Sequence, residues 1–521
     1  MKKTCRINII EVILFAVLMF LLAAIFLINF SAVPGFYDGD MYCDYRYAME
    51  AWKFKSIFPE GWVFGNQLNA VSTPVLAAVI FGLSNNINFS MAAACSVMAV
   101  LVLLSFDWMI GAVQKEAQSR LLAVILFAVI SLYCGNAVRG NQGWTLLFTM
   151  CSYYAGYSIT AFLAFGCYLR SLSQGTKIRI SVMILTCICS FFTGIQSIRQ
   201  TAIMIGPMLA VEFLRLALMF KEWKCNKGPF RVAFWITTSN FLGVCCVKLI
   251  PINQTEIFGR IELTSLPELK MAVIDCISLI KDLLGADYPE ALLALACIGF
   301  ICLFALVLML MRVKTEADRG CLVLALFLGI SILAIVFIDV FTTMHIRPRY
   351  YFMLYPLLAF LVAYAYDTRG KWAKWCVLGL AAVFVSLACV RGLLPVCVSA
   401  VQSKEAHSYA ISTYLLENGY TTIYAVWDHG EDVAVASNGE LEVGYWHKET
   451  PFDKVTYLCN LNVYNADPDK CVYYFQGGEI LEDCLAAAEG YGAPLQLLYR
   501  DSDRDISIYT ASENLMQLVN P

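Results

Sequence analysis

Long apolar runs separated by short charged stretches make up most of the chain before residue 400. The first run, 9–30, has about 20 residues, the length that a helix needs to cross a hydrocarbon core roughly 30 Å thick. No small-residue cleavage site follows it, so it reads as a transmembrane helix and not as a signal peptide. Ten further runs resemble it: 91–112, 121–134, 144–169, 180–193, 202–220, 232–250, 291–311, 321–341, 350–364 and 372–394. The pattern predicts a polytopic α-helical membrane protein with about 11 transmembrane helices.

The charged stretches between these runs set the expected orientation. Lys and Arg cluster near 115–120, 170–179, 221–231, 312–319 and 369–374. Because positive charge favours the cytoplasmic side of a membrane, these clusters and the basic N-terminus are expected in the cytoplasm. An odd number of crossings then places the residues after 400 outside. We expect a multi-pass integral membrane protein with an extracytoplasmic C-terminal domain.

The segment 31–90 is predicted to form a structured cap outside the first helix. Its apolar run 74–83 has only about ten residues, too few to span as a helix, and a crossing there would break the charge pattern. Upstream of this run, apolar residues at 45–52 have the i, i+3, i+4, i+7 spacing that predicts an amphipathic helix lying at the membrane interface. Its apolar face is formed by Tyr45, Ala48, Met49 and Trp52, and the charged residues between them are Asp44, Arg46, Glu50 and Lys53.

The second long outer segment is 251–290, and it contains an amphipathic stretch at 266–284. A helix that packs over the bundle is the simpler interpretation, and closure over a substrate is the alternative. The apolar face of the stretch is formed by Leu269, Val273, Cys276 and Ile277.

Beyond residue 400 the sequence becomes that of a soluble α/β unit. We therefore divide the chain into a transmembrane module, 1–400, and an extracytoplasmic domain, 401–521. No glycine-rich nucleotide fingerprint occurs in the domain, which fits a compartment without nucleotide-activated donors. Its predicted elements are a helix at 405–417, β-rich runs at 421–427, 455–457 and 471–475, a helix at 480–489 and a two-stranded ending at 495–509.

Composition supports the membrane class and excludes others. Hydrophobic residues make up 60% of the 521 residues, against about 45–50% in soluble domains. The net charge of -3 and the lack of a dense basic block argue against a nucleic-acid partner. Most of the 21 cysteines lie in apolar runs, where cysteine acts as a small hydrophobe, and no pair has zinc-finger spacing.

The strongest candidate for chemistry is Asp38-Gly39-Asp40, just after the first apolar run. Taken alone, this tripeptide is also a common turn. Two carboxylates at the membrane surface can instead take a proton from an acceptor hydroxyl or share a divalent cation such as Mg²⁺ or Mn²⁺. Repulsion between them should raise one pKa, which suits a general base.

Cationic and polar residues near the ends of later spans are candidate substrate ligands. A guanidinium can bind phosphate through two parallel hydrogen bonds, so Arg349 is the first candidate, and a snorkelling or Asp-paired arginine is the alternative. Burying an ionisable residue inside an apolar span costs free energy, so such residues usually have a function, and Asp339 is therefore a candidate substrate ligand. A salt bridge to an arginine is its alternative role. The full candidate set is Arg349, Arg347, His345, Tyr350, Arg139, Arg199 and Asp339.

These features resemble the GT-C superfamily of integral-membrane glycosyltransferases, closest to its protein O-mannosyltransferase and aminoarabinose transferase branch. The resemblance rests on the first-loop acids, the Pro74-led apolar piece, Arg349-Tyr350 near a late span and the small C-terminal domain. It implies a bacterial plasma-membrane enzyme that transfers a sugar from a polyprenyl-phosphate donor to an extracytoplasmic acceptor. The resemblance also implies that Asp38 or Asp40 is the base and that Arg349 contacts the carrier phosphate.

The chain departs from the family pattern in two places. The family motif is often Asp-Glu, whereas this chain has Asp-Gly-Asp, which leaves the choice of base open, although Asp38 aligns with the first acid. Many relatives carry a second acid at the outer end of an early span, and 136–142 has none. If a second acid is required, the candidates are Glu256, Glu262 and Asp339.

The leading hypothesis is therefore a GT-C-type transferase acting at the lipid bilayer. A transporter or flippase of lipid-linked saccharides is the first alternative, but it predicts inverted repeats and charges at mid-membrane depth. A polysaccharide polymerase or ligase is the second, and it would depend on outer-loop arginines without a first-loop acid pair.

Overall fold

The structure is a computed structural model. It describes residues 8–32, 39–65, 67–130, 132, 145–149, 153–172, 178–254, 262–283, 289–312, 316–344, 348–368, 370–402, 407–427, 429–478 and 480–519. A helix is found in each stretch that the apolar pattern predicts to cross the membrane. Among the described residues, six helices are long and apolar enough to span, and the chain is an integral multi-pass membrane protein. The count of eleven crossings stays a prediction.

The helices before the C-terminal domain follow the apolar runs closely, because the runs end where charged or glycine-rich sequence begins. They are α1 (Ile9–Ser31), α2 (Gly39–Lys53), α3 (Thr73–Ser84), α4 (Ile87–Ile110), α5 (Ala117–Val129), α6 (Thr145–Phe148), α7 (Ala155–Leu172), α8 (Ile180–Gln196), α9 (Gly206–Leu218), α10 (Phe220–Cys225), α11 (Gly228–Val247), α12 (Leu269–Leu283), α13 (Pro289–Arg312), α14 (Glu316–Phe341), α15 (Leu354–Asp367), α16 (Lys371–Ala388) and α17 (Leu394–Gln402).

The chain forms two compact units. The first, which we call the membrane unit, contains 1–27, 96–249 and 258–398, and the second, the sheet unit, contains 28–95, 250–257 and 399–521. The sheet unit therefore combines the C-terminal domain with the segment that follows the first helix.

In the membrane unit, two π-helical turns widen the helical path just before a proline. Thr201–Ile205 precedes Pro207 of α9, and Cys389–Leu393 precedes Pro395 of α17. Proline lacks an N–H and its ring collides with the carbonyl four residues earlier, so a regular α-helix cannot continue through these positions. The first of these turns begins two residues after Arg199.

Helices α8 and α11 approach each other closely through glycine. A Cβ atom on Gly194 would lie 2.2 Å from the carbonyl oxygen of Asn240, and one on Gly243 would lie 2.0 Å from that of Phe191. Asn240 Nδ2 donates to the carbonyl of Ser190 over 2.9 Å. Small residues and interhelical hydrogen bonds hold helices together where no hydrophobic effect acts between them, as in a membrane.

The C-terminal domain is a six-stranded mixed sheet with short helices. Along the chain, the short β1 (Val63–Phe64) and β2 (Asn253–Gln254) pair in parallel before the sheet begins. The sheet strands are β3 (Thr422–Val426), β4 (Glu442–His447), β5 (Thr450–Lys454), β6 (Cys471–Gln476), β7 (Gln496–Asp501) and β8 (Ile506–Thr510), in the spatial order β5-β4-β3-β6-β8-β7. The domain's helices are α18 (His407–Glu417), α19 (Glu431–Ala436), α20 (Leu481–Gly490) and α21 (Leu515–Val519). The predicted α/β character is confirmed.

Two details of the predicted sheet are wrong. The sequence placed a strand at 455–457, but β5 ends at Lys454 and the next residues are irregular. Strand β4 was not predicted, because Gly444 interrupts its apolar run. Glycine is suited there since a Cβ would lie only 3.0 Å from side-chain atoms of Tyr464 and Val463.

The amphipathic helix is confirmed as α2, but its charged residues are not all exposed. Tyr45 and Ala48 are buried as expected, and so are Asp44 and Arg46, each only 7% exposed. The physical reason is that Arg46 packs against strand β4 of the same unit. In α12, by contrast, Cys276 of the predicted apolar face is buried, whereas Val273 and Ile277 are exposed.

Candidate active site

Several candidate residues lie outside the described residues: Asp38, Arg139, His345, Arg347 and the alternative acid Glu256. Asp40 is the second residue of α2, so its backbone is helical, and nothing is described of its side chain. The other alternative acid, Glu262, is exposed, and its backbone N–H donates to Thr343 Oγ1 over 3.0 Å. The roles expected for these residues stay predictions.

The structure brings together two of the predicted ligands, Arg199 and Tyr350. Arg199 lies between α8 and the π-helical turn, and Tyr350 belongs to the 3₁₀ turn Pro348–Tyr351 before α15. The Arg199 Nη2 donates to the Tyr350 hydroxyl over 3.4 Å, and the guanidinium carbon lies 5.0 Å from the centre of the Tyr350 ring. The sequence separates these residues by 151 positions.

Aromatic rings extend from this pair along the start of α7. Tyr154 stacks on Phe352 with the ring centres 4.8 Å apart. It also meets Tyr350 edge-on at 6.3 Å and Tyr153 at 5.4 Å. We call Arg199, Tyr350, Tyr154, Tyr153 and Phe352 the arginine–tyrosine cluster.

The guanidinium in the arginine–tyrosine cluster stays charged. Burial by itself lowers the pKa of Arg199, but the surrounding phenols of Tyr153, Tyr154 and Tyr350 outweigh it, so the pKa is raised above its ordinary value. A charged, partly desolvated guanidinium attracts an anion more strongly than one in water. The arginine–tyrosine cluster is therefore suited to a phosphate.

Several buried polar side-chain atoms have no hydrogen-bond partner among the residues that the structure describes. They include the Tyr154 hydroxyl, Ser158 Oγ and Gln200 Oε1. Gln200 is otherwise held by its Nε2, which donates to the Tyr157 carbonyl over 3.4 Å. Buried polar groups are nearly always satisfied, so these atoms fit a site that takes up water or a ligand.

Arg349 lies in the same 3₁₀ turn as Tyr350 and is half-buried. Its charge is close enough to act on the Tyr154 hydroxyl. Two guanidinium groups thus act on one phenol of the arginine–tyrosine cluster.

Asp339, near the end of α14, contacts the residue that follows Tyr350. Its Oδ2 accepts a hydrogen bond of 2.6 Å from the Tyr351 hydroxyl. On the other side, Cys276 Sγ of α12 lies 3.3 Å from the same hydroxyl. A direct contact of Asp339 with substrate stays a prediction, but its contact with Tyr351 supports the turn that carries Arg349 and Tyr350.

Sequence reasoning did not single out Ser158, Gln200, Tyr351 or Phe352. Gln200 had a usable signal, since an amide at the start of an apolar run needs a partner. The aromatic residues had none, because 13% of the chain is aromatic and most such residues are membrane belts or core.

A metal site stays untested. Within the described ranges, no group of three or more His, Cys, Asp or Glu residues is placed to hold a metal ion. The predicted ligands, Asp38 and the side chain of Asp40, fall outside those ranges.

The chain combines a helical membrane unit with a small C-terminal sheet domain, as the sequence predicts. The chain is similar to the crystal structure of ArnT from Cupriavidus metallidurans in the apo state, with a TM-score of 0.58, 13% identity and coverage of 98% of both chains. It is also similar to the structure of that ArnT bound to undecaprenyl phosphate, with a TM-score of 0.58, 10% identity and coverage of 97% and 99%. No family model and no curated protein matches the chain. The fold expected from the predicted resemblance is confirmed, because the chain shares it with ArnT over nearly its whole length.

Proposed function

We propose that the protein is a membrane glycosyltransferase that moves a sugar from a polyprenyl-phosphate donor to an extracytoplasmic glycan, lipid or protein. The observation that carries the proposal is the Arg199–Tyr350 pair, in a chain that shares its fold over nearly its whole length with ArnT. One of the ArnT structures has undecaprenyl phosphate bound. A charged guanidinium beside phenol hydroxyls is suited to hold the phosphate of such a carrier.

In the proposed reaction, the bond between the anomeric carbon of the sugar and the phosphate oxygen breaks. A new bond forms from that carbon to the acceptor oxygen, and the acceptor proton passes to a carboxylate. Negative charge accumulates on the departing carrier phosphate, where Arg199 and Arg349 stabilise it. Arg347, His345 and Arg139 are proposed to extend the same positive surface.

The base is one of the first-loop acids, and Asp38 is preferred because it aligns with the first acid of the family pattern. Asp40 assists it or contributes oxygen ligands to a divalent cation, for which carboxylates are the preferred donors. No step of the proposed reaction requires the ion. The positive-inside pattern supports placing these acids and the sheet domain outside the membrane.

The test is transfer from an undecaprenyl-phosphate sugar by the full chain in proteoliposomes. Asp38→Asn and Asp40→Asn should each lower the rate of transfer. Substitution of the residue that acts as the base should lower it by about 100-fold or more, as expected for loss of a general base. Asp503→Asn, an exposed acid in the β7–β8 turn, is the matched control and should not change it. No transfer by the wild type from any polyprenyl-phosphate sugar would refute the function, and full activity in both variants would refute the assignment of the acids.

A further inference from the structure

Helix α2, which carries Asp40 near its start, is attached to the C-terminal sheet through the buried side chain of Arg46. Arg46 Nη2 donates to the carbonyl oxygen of Val443 over 2.8 Å, and Nη1 donates to the Tyr445 hydroxyl over 2.5 Å. The guanidinium also lies 5.3 Å from the centre of the Tyr445 ring and 6.0 Å from that of Trp62. Both partners on the sheet belong to β4.

A buried carboxylate balances the charge of Arg46. Glu431, at the start of α19, is 1% exposed and hydrogen-bonds to the Tyr445 hydroxyl. Arg46, Tyr445 and Glu431 thus form a chain in which one phenol joins a buried cation to a buried anion. Burial opposes the charge of Arg46, but the neighbouring Tyr445, then Cys43 and Cys459, and last Glu431 outweigh it, so the pKa of the guanidinium is raised.

Such an arrangement tolerates little movement of α2. A buried charge is stable only while its hydrogen bonds and counter-charge are kept, so a rotation or slide of the helix would break both hydrogen bonds of Arg46 and leave its charge buried. We infer that the helix has one stable position against the sheet.

Contacts that follow Arg46 along the chain fix the same helix and the segment after it. Asn460 Nδ2 donates to Glu50 Oε2 over 2.6 Å, and Lys53 pairs with Glu442 over 3.3 Å. Further along, the N–H of Val63 donates to the carbonyl of Cys459 over 2.8 Å. These contacts are all within the sheet unit.

We propose that the C-terminal domain is a positioning domain for Asp40 and that Arg46 is its positioning residue. This inference rests on the proposed function, because it assigns a catalytic role to the first-loop acids. Arg46 follows Asp40 by six residues, or roughly 9 Å along a helix axis. A helix held at Arg46 therefore holds the backbone of Asp40 as well, and the domain acts on the reaction without touching the substrate.

The experiment uses the full chain in nanodiscs with three variants. Arg46→Gln removes the cation, and Tyr445→Phe removes the shared hydroxyl but keeps the ring that packs on Trp427 with centres 4.8 Å apart. Tyr445→Phe also keeps the test valid if Arg46→Gln does not fold. Arg504→Gln is the matched control, because Arg504 is an exposed arginine of the same domain that pairs with Asp501.

Two measurements are made, amide hydrogen exchange along 41–53 and steady-state transfer from an undecaprenyl-phosphate sugar. In both test variants we expect exchange in α2 to become about tenfold faster or more, since a buried charge-assisted hydrogen bond is lost. The kcat should fall by about tenfold while the KM for the donor stays within about twofold, because only the position of the first-loop acids has changed. Arg504→Gln should change neither.

Unchanged exchange in α2 of both variants would overturn the anchor, whatever happens to activity. Faster exchange with an unchanged kcat would overturn the positioning role. If the wild type transfers no sugar, the proposed function and the positioning role fail together, and the exchange result still decides whether Arg46 anchors the helix.

Discussion

The hydroxyl of Tyr351 donates a hydrogen bond of 2.6 Å to the carboxylate of Asp339. The bond ties the last turn of α14 to the 3₁₀ turn that carries Arg349 and Tyr350. Since Tyr350 accepts a hydrogen bond from Arg199, the half-buried carboxylate of Asp339 influences the arginine–tyrosine cluster through the side chain of Tyr351.

Loss of this bond should weaken carrier binding. Tyr351→Phe removes the hydroxyl and should reduce affinity for undecaprenyl phosphate by about tenfold, the cost expected for one hydrogen bond to a charged group. Asp339→Asn keeps an acceptor and should reduce it less than Asp339→Ala. Equilibrium binding of undecaprenyl phosphate measures the effect. Tyr366→Phe, which removes a bond of 2.6 Å to Gln118, is the control, and equal losses in Tyr351→Phe and Tyr366→Phe would contradict the prediction.

Arg199 is expected to contribute more than its neighbours. Arg199→Gln should weaken binding of undecaprenyl phosphate by about 30-fold or more, because a charged group is replaced by a neutral one at a partly desolvated site. Arg199→Lys keeps the charge but loses the forked geometry and should recover only part of the affinity. The same binding measurement with Arg319→Gln, at an exposed ion pair with Glu222, gives the baseline. Wild-type affinity in Arg199→Gln would remove this residue from the site.

The close contact of α8 and α11 predicts that substitution of Gly243 by alanine lowers stability, whereas the same substitution at Gly329 does not. In Gly243→Ala the new Cβ would lie 2.0 Å from a backbone oxygen, whereas nothing lies within 4 Å of a Cβ at Gly329 in α14. Gly243→Ala should destabilise the membrane unit by roughly 1–3 kcal/mol, the usual cost of overpacking. The apparent midpoint of thermal unfolding in detergent should fall for Gly243→Ala and stay unchanged for Gly329→Ala. Equal midpoints for the two variants would contradict the prediction, because they would show that α8 and α11 can move apart without a loss in the free energy of unfolding.

The sheet domain should lose stability in mild acid through His429. Burial lowers the pKa of this imidazole, and Asp432 opposes the effect only in part. The unfolded chain then binds a proton at a higher pH than the folded domain does. The free energy of unfolding should be constant above about pH 7 and fall as the pH drops through the ordinary histidine value of about 6.5.

Hydrogen exchange of the β3 and β6 amides in the full chain, corrected for the intrinsic rate, measures this loss between pH 7.5 and 5.5. His429→Gln should flatten the dependence, and His447→Gln, at an exposed histidine, should not. A dependence that persists in His429→Gln would assign the effect to another group.

The sequence predicted the membrane helices well because their signal is local. A run such as 321–341 has to be a helix in lipid, whatever it packs against. The pairing of Arg199 with Tyr350 could only be suspected, since both were candidates for one site but no local pattern records a contact over 151 residues. The same limit applies to Tyr351 and Asp339, although they are only 12 residues apart, because an irregular turn separates them.

The burial of Arg46 is a further feature that the sequence did not predict. The position of this residue on an amphipathic helix beside other charged residues is typical of a solvent-exposed side chain. The partner that buries it, β4, was itself not predicted, because Gly444 weakens its pattern. The burial of Arg46 thus depends on a strand that the sequence pattern did not reveal.

The bond between Arg46 and Tyr445 joins residues 399 positions apart, and this separation constrains the order of folding. During synthesis, α2 is made long before β4. The contacts of Arg46 with β4 therefore cannot form until nearly the whole chain has been synthesised. Contacts of such long range are formed late and slowly. A chain that stops before residue 445 should therefore insert its helices yet never mature, which would link completion of the polypeptide to the onset of activity.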